Sequence, residues 1–510
     1  MDPSLPGLDA ASLAVLIRER AASRGDAPYL LDARSSRVLT YAALEGHVAA
    51  REHQFRRWGL ERGERIGLAV GDPLTFAAWF LAAMTAGLWV APLDPSSTQH
   101  VAAVLERGRA LHLSAIVSEH EAPSAPSSFR WHHIDVDEFD ADEDAELRGG
   151  AEAGGVVLSS SGTTGTPKVI PLSTLQVLST ARLIARHHRL DESDRGFNPL
   201  PLWHINAEVV GLLATLVAGA SLVVDERFHR TEFWRLMEEF EVTWINAVPA
   251  IISRLATPSD HEVAPRRVRF VRSASAPLAP ALFERFEAAW GLPILQTYGM
   301  TEAASQICAT PVDGARKAGS VGIAVGVEVR VVAHGDRVAA GVVGDVEIKG
   351  STVITSYESA DYDDRFSHDG WLKTGDLGYL DDDAYLFLVG RDDDVINRGG
   401  EKIHPLEVEL ILAEVGGVQS VAVVASPDDV FGQVPVAFIQ PDDESVLTSL
   451  TELAAIVERV RRCSFDALAK AQRPTFVKIV RALPVHATGK IRRSLLRQGD
   501  DVTIVYEERL

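Results

Sequence analysis

GGVVLSSSGTTGTPKVIPLS, residues 154 to 173, joins a β-branched run, a decamer of small hydroxyls and glycines that ends in a lysine, and a second extended run. Its reading decides the fold. A strand followed by GxxxxGK, then Ser or Thr, then a helix would be a Walker loop. Here Pro167 separates Gly165 from Lys168, and KVIPLS (168 to 173) is extended and interrupted by proline. The spacing predicts strand, loop, strand, with a helix starting only at Ser173-Thr174 and carrying Leu175, Leu178 and Ala181 on one face. Backbone N–H groups and hydroxyls from Ser160, Ser161, Gly162, Thr163, Thr164, Gly165 and Thr166, with the mobile charge of Lys168, suit phosphate oxygens. A plain Ser/Gly/Thr linker has the same composition, so the rest of the chain has to decide.

The chain around this loop has 510 residues, 46% hydrophobic and 24% charged, ordinary values for a globular protein. At roughly 150 residues per domain it holds two to four domains. Fifty Lys and Arg against 71 Asp and Glu give a net charge of −21, which argues against a nucleic-acid or membrane partner because either polyanion is repelled. An anionic substrate then needs a local positive site. Cys308 and Cys463 are the only cysteines, too few for a disulfide framework or a zinc cluster. MDPSLPGLDAAS lacks a basic-then-apolar leader, and no apolar run reaches the roughly 18 to 20 residues of a membrane-spanning helix. A cytoplasmic protein is expected.

Short apolar strands such as RIGLAV (65 to 70) and ASLVV (220 to 224) alternate with stretches read as amphipathic helices, such as PLTFAAWFLAAMTAG (73 to 87). That alternation predicts an α/β fold with layered, largely parallel sheets. From 327 to 389, VEVRVV, GDVEIKG and AYLFLVG between Gly and Asp turns predict a β subdomain, and the last stretch of about 120 residues a small α+β domain. The acidic run IDVDEFDADEDAE (134 to 146) has Phe139 and Asp140 at the fifth and sixth positions counted from Asp135, so it reads as a solvated linker and not an EF-hand. His132-His133 and His187-His188 read as surface pairs, with no further ligand at metal-site spacing.

QTYGMTEAA (296 to 304), LKTGDLGYLDDDAYLFLVGRDDDVINRGGEKIHPLEVE (372 to 409) and ATGKIRR (487 to 493) follow the decamer. Together, in this order and spacing, they resemble the signatures of the acyl-adenylating superfamily, which includes acyl-CoA synthetases, firefly luciferase and the adenylation domains of peptide synthetases. PLWHINAEVVG, WINAVPAIISRL and KAGSVG are similar in texture to small-acid CoA ligases of the oxalyl-CoA synthetase type. The resemblance implies a large N-terminal part (1–390) and a small mobile C-terminal domain (391–510). It also implies two half-reactions: a carboxylate attacks MgATP to give an acyl-adenylate and pyrophosphate, then a thiol displaces AMP. ATP, Mg²⁺ and coenzyme A are the implied cofactors, and a small carboxylic acid the implied partner. The signatures leave the acceptor open, since relatives that use a carrier protein, an amine or another nucleophile keep the same adenylation residues, and some activate a different anion.

By the same resemblance, Lys490 is similar to the lysine that bridges the acid and the α-phosphate, Glu302 to the glutamate that helps hold Mg²⁺, and Thr301 to the threonine on the α-phosphate. One protein carboxylate is enough for Mg²⁺, which keeps waters and phosphate oxygens as its other ligands. Asp376 resembles the aspartate on the ribose hydroxyls, with Arg391 beside it. Tyr298 resembles the residue stacked on adenine, and Gly299 and Met300 extend its loop. SASAP (273 to 277), with Ser275, Ala276 and Pro277, stands where the family lines the base. His204 resembles a histidine near the acid and the phosphate, and Asn206, Val210, Thr297 and Ala303 are pocket residues by position. Asn206 is polar and Glu208 adds a negative charge nearby, which favours a short or polar acid over a fatty chain. Asp393 is the expected hinge, made acidic and solvated by Asp392 and Asp394. Gly399 and Gly400 are expected to let the backbone approach the incoming thiol. KAQRP (470 to 474) departs from the family's aromatic-lysine-x-proline, so one contact of the closed state is expected to differ.

Overall fold

The computed structural model describes residues 12–95, 101–122, 129–136, 146–147, 154–160, 168–258, 262–485, 490–499 and 502–510. Two large sheets dominate. In the first, six strands run parallel in the spatial order Pro28–Asp32, Ser221–Val224, Arg195–Asn198, Trp244–Ala247, Phe270–Ser273 and Ile294–Tyr298, with antiparallel strands at both edges. In the second, Arg130–His133, Ala115–Ser118, Arg65–Ala69, Trp89–Pro92 and Gly155–Ser160 are parallel, and Lys168–Ser173 closes the edge antiparallel. One core, containing Ile66 and Val90 from one sheet and Leu222 and Trp244 from the other, joins the two layers. Burying both faces of a parallel sheet is what its continuous Val, Leu and Ile runs require.

The opening stretch is strand, loop, strand: Gly155 pairs with Ser173 and Ser160 with Lys168. Residues 161–167 lie outside the described residues, and with them Ser161, Gly162, Thr163, Thr164, Gly165 and Thr166; of Ser160 only the backbone is described. The helix starts at Thr174, where Ser173 and Gln176 form a reciprocal capping box that satisfies two otherwise orphaned N–H groups. Its buried face is Val177, Leu178, Ala181, Ile184 and Ala185, whereas Leu175 is exposed, so that part of the expected stripe is corrected.

Two further expectations fail on burial. Helix Pro73–Thr85 is not amphipathic: each of its residues is buried, because it packs within the core instead of against one face of it. The histidine pairs are only partly at the surface, with His133 exposed but His132 and His187 half-buried. His188 is fully buried with its ring edge-on to Phe270 at 5.5 Å, and the His132 ring stacks on Trp58 at 3.9 Å. The acidic run is described only at 134–136 and 146.

A five-stranded antiparallel sheet follows, in the order Asp336–Arg337, Glu328–Ala333, Gly344–Lys349, Leu372–Leu380, Leu386–Arg391. Beyond it lies the smaller α+β domain, built on the hairpin of Val418–Asp428 and Gly432–Pro441 with helices Pro405–Leu412, Leu450–Ala467 and Arg493–Gln498. Its two apolar clusters, one around Val408, Val423 and Val457 and the other around Val424, Phe438 and Leu496, draw only on residues from 396 onward. Among the described residues no helix is long and apolar enough to cross a membrane.

Candidate active site

Strands Leu372–Leu380 and Leu386–Arg391 set Asp376 directly opposite Arg391, whose Nη1 lies 3.3 Å from the carboxylate. Gly375 has φ +77°, and a Cβ there would meet Arg365 Nη1 at 2.9 Å and Arg391 Nη2 at 3.0 Å. Its missing side chain therefore lets two guanidinium groups close over the strand. Tyr298, at the end of strand Ile294–Tyr298, donates its hydroxyl to Asp376 Oδ2, and burial together with that carboxylate raises the phenol well above its ordinary value. Burial opposes the charge of Arg391, but Asp376, Tyr298, Asp393 and Asp394 outweigh it, so the guanidinium is held charged.

After Tyr298 the chain turns sharply. A Cβ on Gly299 would stand 1.7 Å from the Ser305 carbonyl oxygen, so only glycine fits. Thr301–Ala303 form a 3-10 turn, and Ala304 and Ser305 follow at φ +49° and +89°. Glu302 is buried; its Oε1 accepts from Tyr357 at 2.9 Å and its carbonyl accepts from Ile354 N–H at 2.9 Å. Lys168 lies over the rings of Tyr357 and Tyr362, 5.6 and 4.8 Å from their centroids. Burial lowers its ammonium from the ordinary value, and Arg365 and Arg391 add to this against Glu302 and Asp393. Lys490 joins the same group from the smaller domain. Its side chain is reached by solvent, yet the surrounding protein lowers its ammonium most, with Asp376 and Glu302 pulling up and Arg391 down. Four cations thus converge with Glu302, Asp376 and Asp393, a locally positive site in a chain of net charge −21. MgATP fits these residues: Glu302 keeps a carboxylate oxygen beyond its bond to Tyr357, and no cluster of three metal-ligating side chains occurs among the described residues. A single carboxylate supplemented by phosphate oxygens and waters is a normal Mg²⁺ arrangement.

His204 sits elsewhere in the electrostatic field. Burial pushes its imidazole down to about 4, Asp94 pulling up and Arg107 down, and its Nε2 is buried without a partner among the described residues. It precedes a π-helical turn, Ala207–Leu213, for which Asn206 is the N-cap residue. Val210, Thr297 and Ala303 are buried. Thr297 donates to the Ser273 carbonyl at 3.1 Å, and Ser275 is held at φ +73° where its Oγ accepts from Asn206 at 3.4 Å. Ala276 is half-buried and Pro277 exposed. Glu208 overturns its expected negative charge: it is fully buried, both oxygens lack partners among the described residues, and burial raises its carboxyl well above the ordinary range, so it is neutral.

Around Asp393 the chain forms a short 3-10 turn, Asp392–Asp394. The solvated hinge is corrected in part. Asp392 and Asp393 are exposed, but Asp394 is paired with Arg497 at 2.5 Å and Arg493 at 3.7 Å. Gly399 and Gly400 have φ +60° and +96°, and the N–H of Gly399 donates to the Phe431 carbonyl at 2.8 Å. Arg398 anchors KAQRP by donating to the Ala471 carbonyl at 2.8 Å. Sequence reading missed Tyr357, Tyr362 and Arg365, which lie in YESADYDDRF without motif spacing, and Arg272, which stands one residue before SASAP.

Lys168, Arg365, Arg391 and Lys490 gather beside the Asp376–Tyr298 pair and the buried Glu302, an arrangement able to hold a polyanion with a metal ion. Residues 17–358 match the AMP-binding enzyme family and residues 407–490 its C-terminal domain. The chain belongs to the AMP-binding enzyme family. It is 32% identical to a sulfoacetate–CoA ligase of Cupriavidus necator (94% of this chain, 96% of that one) and 32% to an oxalate–CoA ligase of Arabidopsis thaliana (86% and 89%). Among solved structures, ATP-bound MatB from Rhodopseudomonas palustris superposes with a TM-score of 0.83 at 25% identity (95% and 98% covered). O-succinylbenzoate coenzyme A synthetase from Bacillus subtilis, with ATP and magnesium, gives 0.81 at 26% (94% and 98%). The activity is ATP-dependent activation of a carboxylic acid as an acyl-adenylate, by an AMP-forming acid–thiol ligase.

Proposed function

We propose that the acceptor is coenzyme A and that the adenylation site is the cleft between Lys168, Glu302, Asp376, Arg391 and Lys490. One observation carries this reading: Lys490, from the smaller domain, shares an electrostatic neighbourhood with Asp376 and Glu302 of the larger one. When a carboxylate meets a polyphosphate, negative charge accumulates on the α-phosphate and the leaving pyrophosphate, and fixed cations in a water-poor site lower that barrier most. Lys490 is proposed to bridge the acid and the α-phosphate, and Thr301 to donate to the same phosphate. Lys168 and the 160–166 loop hold the outer phosphates. Glu302 would hold Mg²⁺, which would supply charge neutralisation to the phosphates. Asp376 accepts from the ribose hydroxyls, Arg391 steadies that carboxylate, and Tyr298, Gly299 and Met300 with Ser275, Ala276 and Pro277 enclose the base. His204, neutral over the working pH range, is proposed to orient the acid through its unpartnered Nε2, and Asn206, Val210, Thr297 and Ala303 to line the acid's pocket.

For the second half-reaction the smaller domain (391–510) is proposed to turn about Asp393 and bring Gly399 and Gly400 to the thiol. Both glycines have left-handed φ, and their N–H groups are held by the Phe431 carbonyl and Asn397 Oδ1, which fixes a turn without a Cβ for the thiol to approach. Small-acid ligases among the relatives support coenzyme A as acceptor and a small acid as substrate. A cytoplasmic setting, with its MgATP and reduced thiols, suits both the reaction and the unpaired Cys308 and Cys463. The test is pyrophosphate release from MgATP across short dicarboxylic, aromatic, amino and fatty acids, each with and without coenzyme A. Acid-specific release accelerated by coenzyme A is expected. Release indifferent to coenzyme A would replace it with a carrier protein, an amine or another nucleophile.

A further inference from the structure

Arg272 is fully buried, yet no carboxylate pairs with it among the described residues. Its place follows from strand register. Asn246 stands opposite Arg272 on adjacent parallel strands, and side chains alternate, so both share a face with Trp244 and Phe270. That face meets helix Thr174–His187 and the π-helical turn Ala207–Leu213, while Ile245 and Val271 point to a different apolar cluster. Arg272 Nη1 donates to Asn206 Oδ1 at 3.0 Å and to Asn246 Oδ1 at 3.2 Å. Both acceptors are neutral amides. Nε and Nη2 are buried with no partner among the described residues. Burial lowers the guanidinium to about 9, so it stays charged at neutral pH.

A buried, unpaired cation costs several kcal/mol, and the surroundings do not relieve it. His187 and His188 are pushed down by burial first and then by Arg272 itself, and are neutral. Glu208 is neutral as well. The guanidinium lies at the carboxyl ends of the parallel strands, the end at which open α/β sheets bind ligands. Through Asn206 it is tied to Ser275, whose left-handed backbone is strained. A π-helical turn covers it, and such turns recur at functional sites.

We propose that Arg272 receives a second anionic group of the acid, so that the ligase activates a short dianion. The inference rests on the adenylation reading above and names the substrate class for it. Nε and Nη2 form one edge of the guanidinium, the fork that a carboxylate or a sulfonate engages with two oxygens. Asn206 and Asn246 fix the other edge. Strand Phe270–Ser273 neighbours strand Ile294–Tyr298, which leads into Thr301, and neighbouring strands are about 4.8 Å apart. Asn206 ties the guanidinium to the residues proposed to line the acid's pocket, so the second anionic group lies within that pocket.

The experiment measures kcat/KM for pyrophosphate release with paired acids, malonate against propionate and succinate against butyrate, with oxalate and acetate as a third pair. At least one dianion is expected to exceed its monoanionic counterpart by about 100-fold, and Arg272→Met to collapse that ratio by a similar factor with ATP affinity retained. Arg272→Lys should recover part of the ratio. Asn206→Asp, which offers the guanidinium an internal carboxylate, should lower the ratio too and decides the matter if Arg272→Met does not fold. Monoanions equal to or better than every dianion in the wild type, with robust release, would overturn the proposal and leave the ligase reading intact. A Glu208→Gln variant that reproduces Arg272→Met would also overturn it, because the arginine would then serve Glu208. No release with any of these six acids would also overturn the proposal, and the wider acid panel above then decides the ligase reading separately.

Discussion

Glu409 and Arg493 fasten helix Arg493–Gln498, just past Lys490, to helix Pro405–Leu412. Arg493 Nη2 lies 2.7 and 2.6 Å from the two Glu409 oxygens, and Val423 N–H donates to Oε1 at 2.7 Å. Burial pushes the Glu409 carboxyl up, with Arg493 and the Val423 N–H working against it. Arg493→Met removes the counter-charge and leaves a buried anion, which costs about 3 to 5 kcal/mol when it stays ionised. The carboxyl can escape by taking a proton. From an ordinary pKa of about 4.3 that costs about 3.7 kcal/mol at pH 7 and about 1 kcal/mol at pH 5, at 1.36 kcal/mol per unit. The destabilisation should therefore approach 3.7 kcal/mol at pH 7 and fall to about 1 kcal/mol at pH 5. The sign follows from a folded-state pKa raised above the unfolded one, whose stabilisation is present at low pH and lost as pH rises. Hydrogen exchange of the full chain, read on peptides from 405–412 and 493–498 and corrected for intrinsic rates, should lose roughly 500-fold protection at pH 7 and about 5-fold at pH 5. The double variant Glu409→Gln/Arg493→Met should show little pH dependence. A loss equal at both pH values, or a near-neutral effect at pH 7, would mean that Glu409 is not an anion held by Arg493.

Lys490→Ala should lower acid-dependent pyrophosphate release by about 10²- to 10³-fold, the effect of deleting one transition-state charge donor, while thioester formation from a supplied adenylate is largely kept; equal loss in both steps would move Lys490 out of the first half-reaction. Asp393→Pro locks φ at the proposed hinge and should spare adenylation but impair transfer to the thiol, whereas unaltered overall turnover would place the hinge elsewhere. His187 and His204 are pushed to about 4 and His188 well below its ordinary value, burial being the main cause in each. Their folded pKa values are depressed, so their contribution is intact above about 6.5 and is lost as pH falls toward 4, with a slope of up to about 4 kcal/mol per pH unit for three protons. Denaturation midpoints across that window should drop steeply, and a flat profile would show that these histidines are not buried as neutral rings.

The order of elements was legible because local backbone chemistry writes it. Pro167 forbade a Walker loop, Ser173 and Gln176 announced their helix, and Gly299 occupies a position where any Cβ would collide with backbone. Four short motifs in order were enough for the family, since each carries its chemistry within a few residues. Charge state and partnership were not legible, because both depend on what packs around a group. Glu208 was read as an anion until burial without a partner made it neutral, and His188 as half of a surface pair until the core closed over it. Asp394 was read as solvated until Arg497, 103 residues later in sequence, reached it. Arg272 carries no motif, and the amide that holds it is 66 residues away. The sequence by itself determined the fold class and the family, through local sterics and spacing. Only the tertiary structure decided which ionisable groups are charged and which are left unpaired, because desolvation and pairing are set by neighbours brought together from far along the chain.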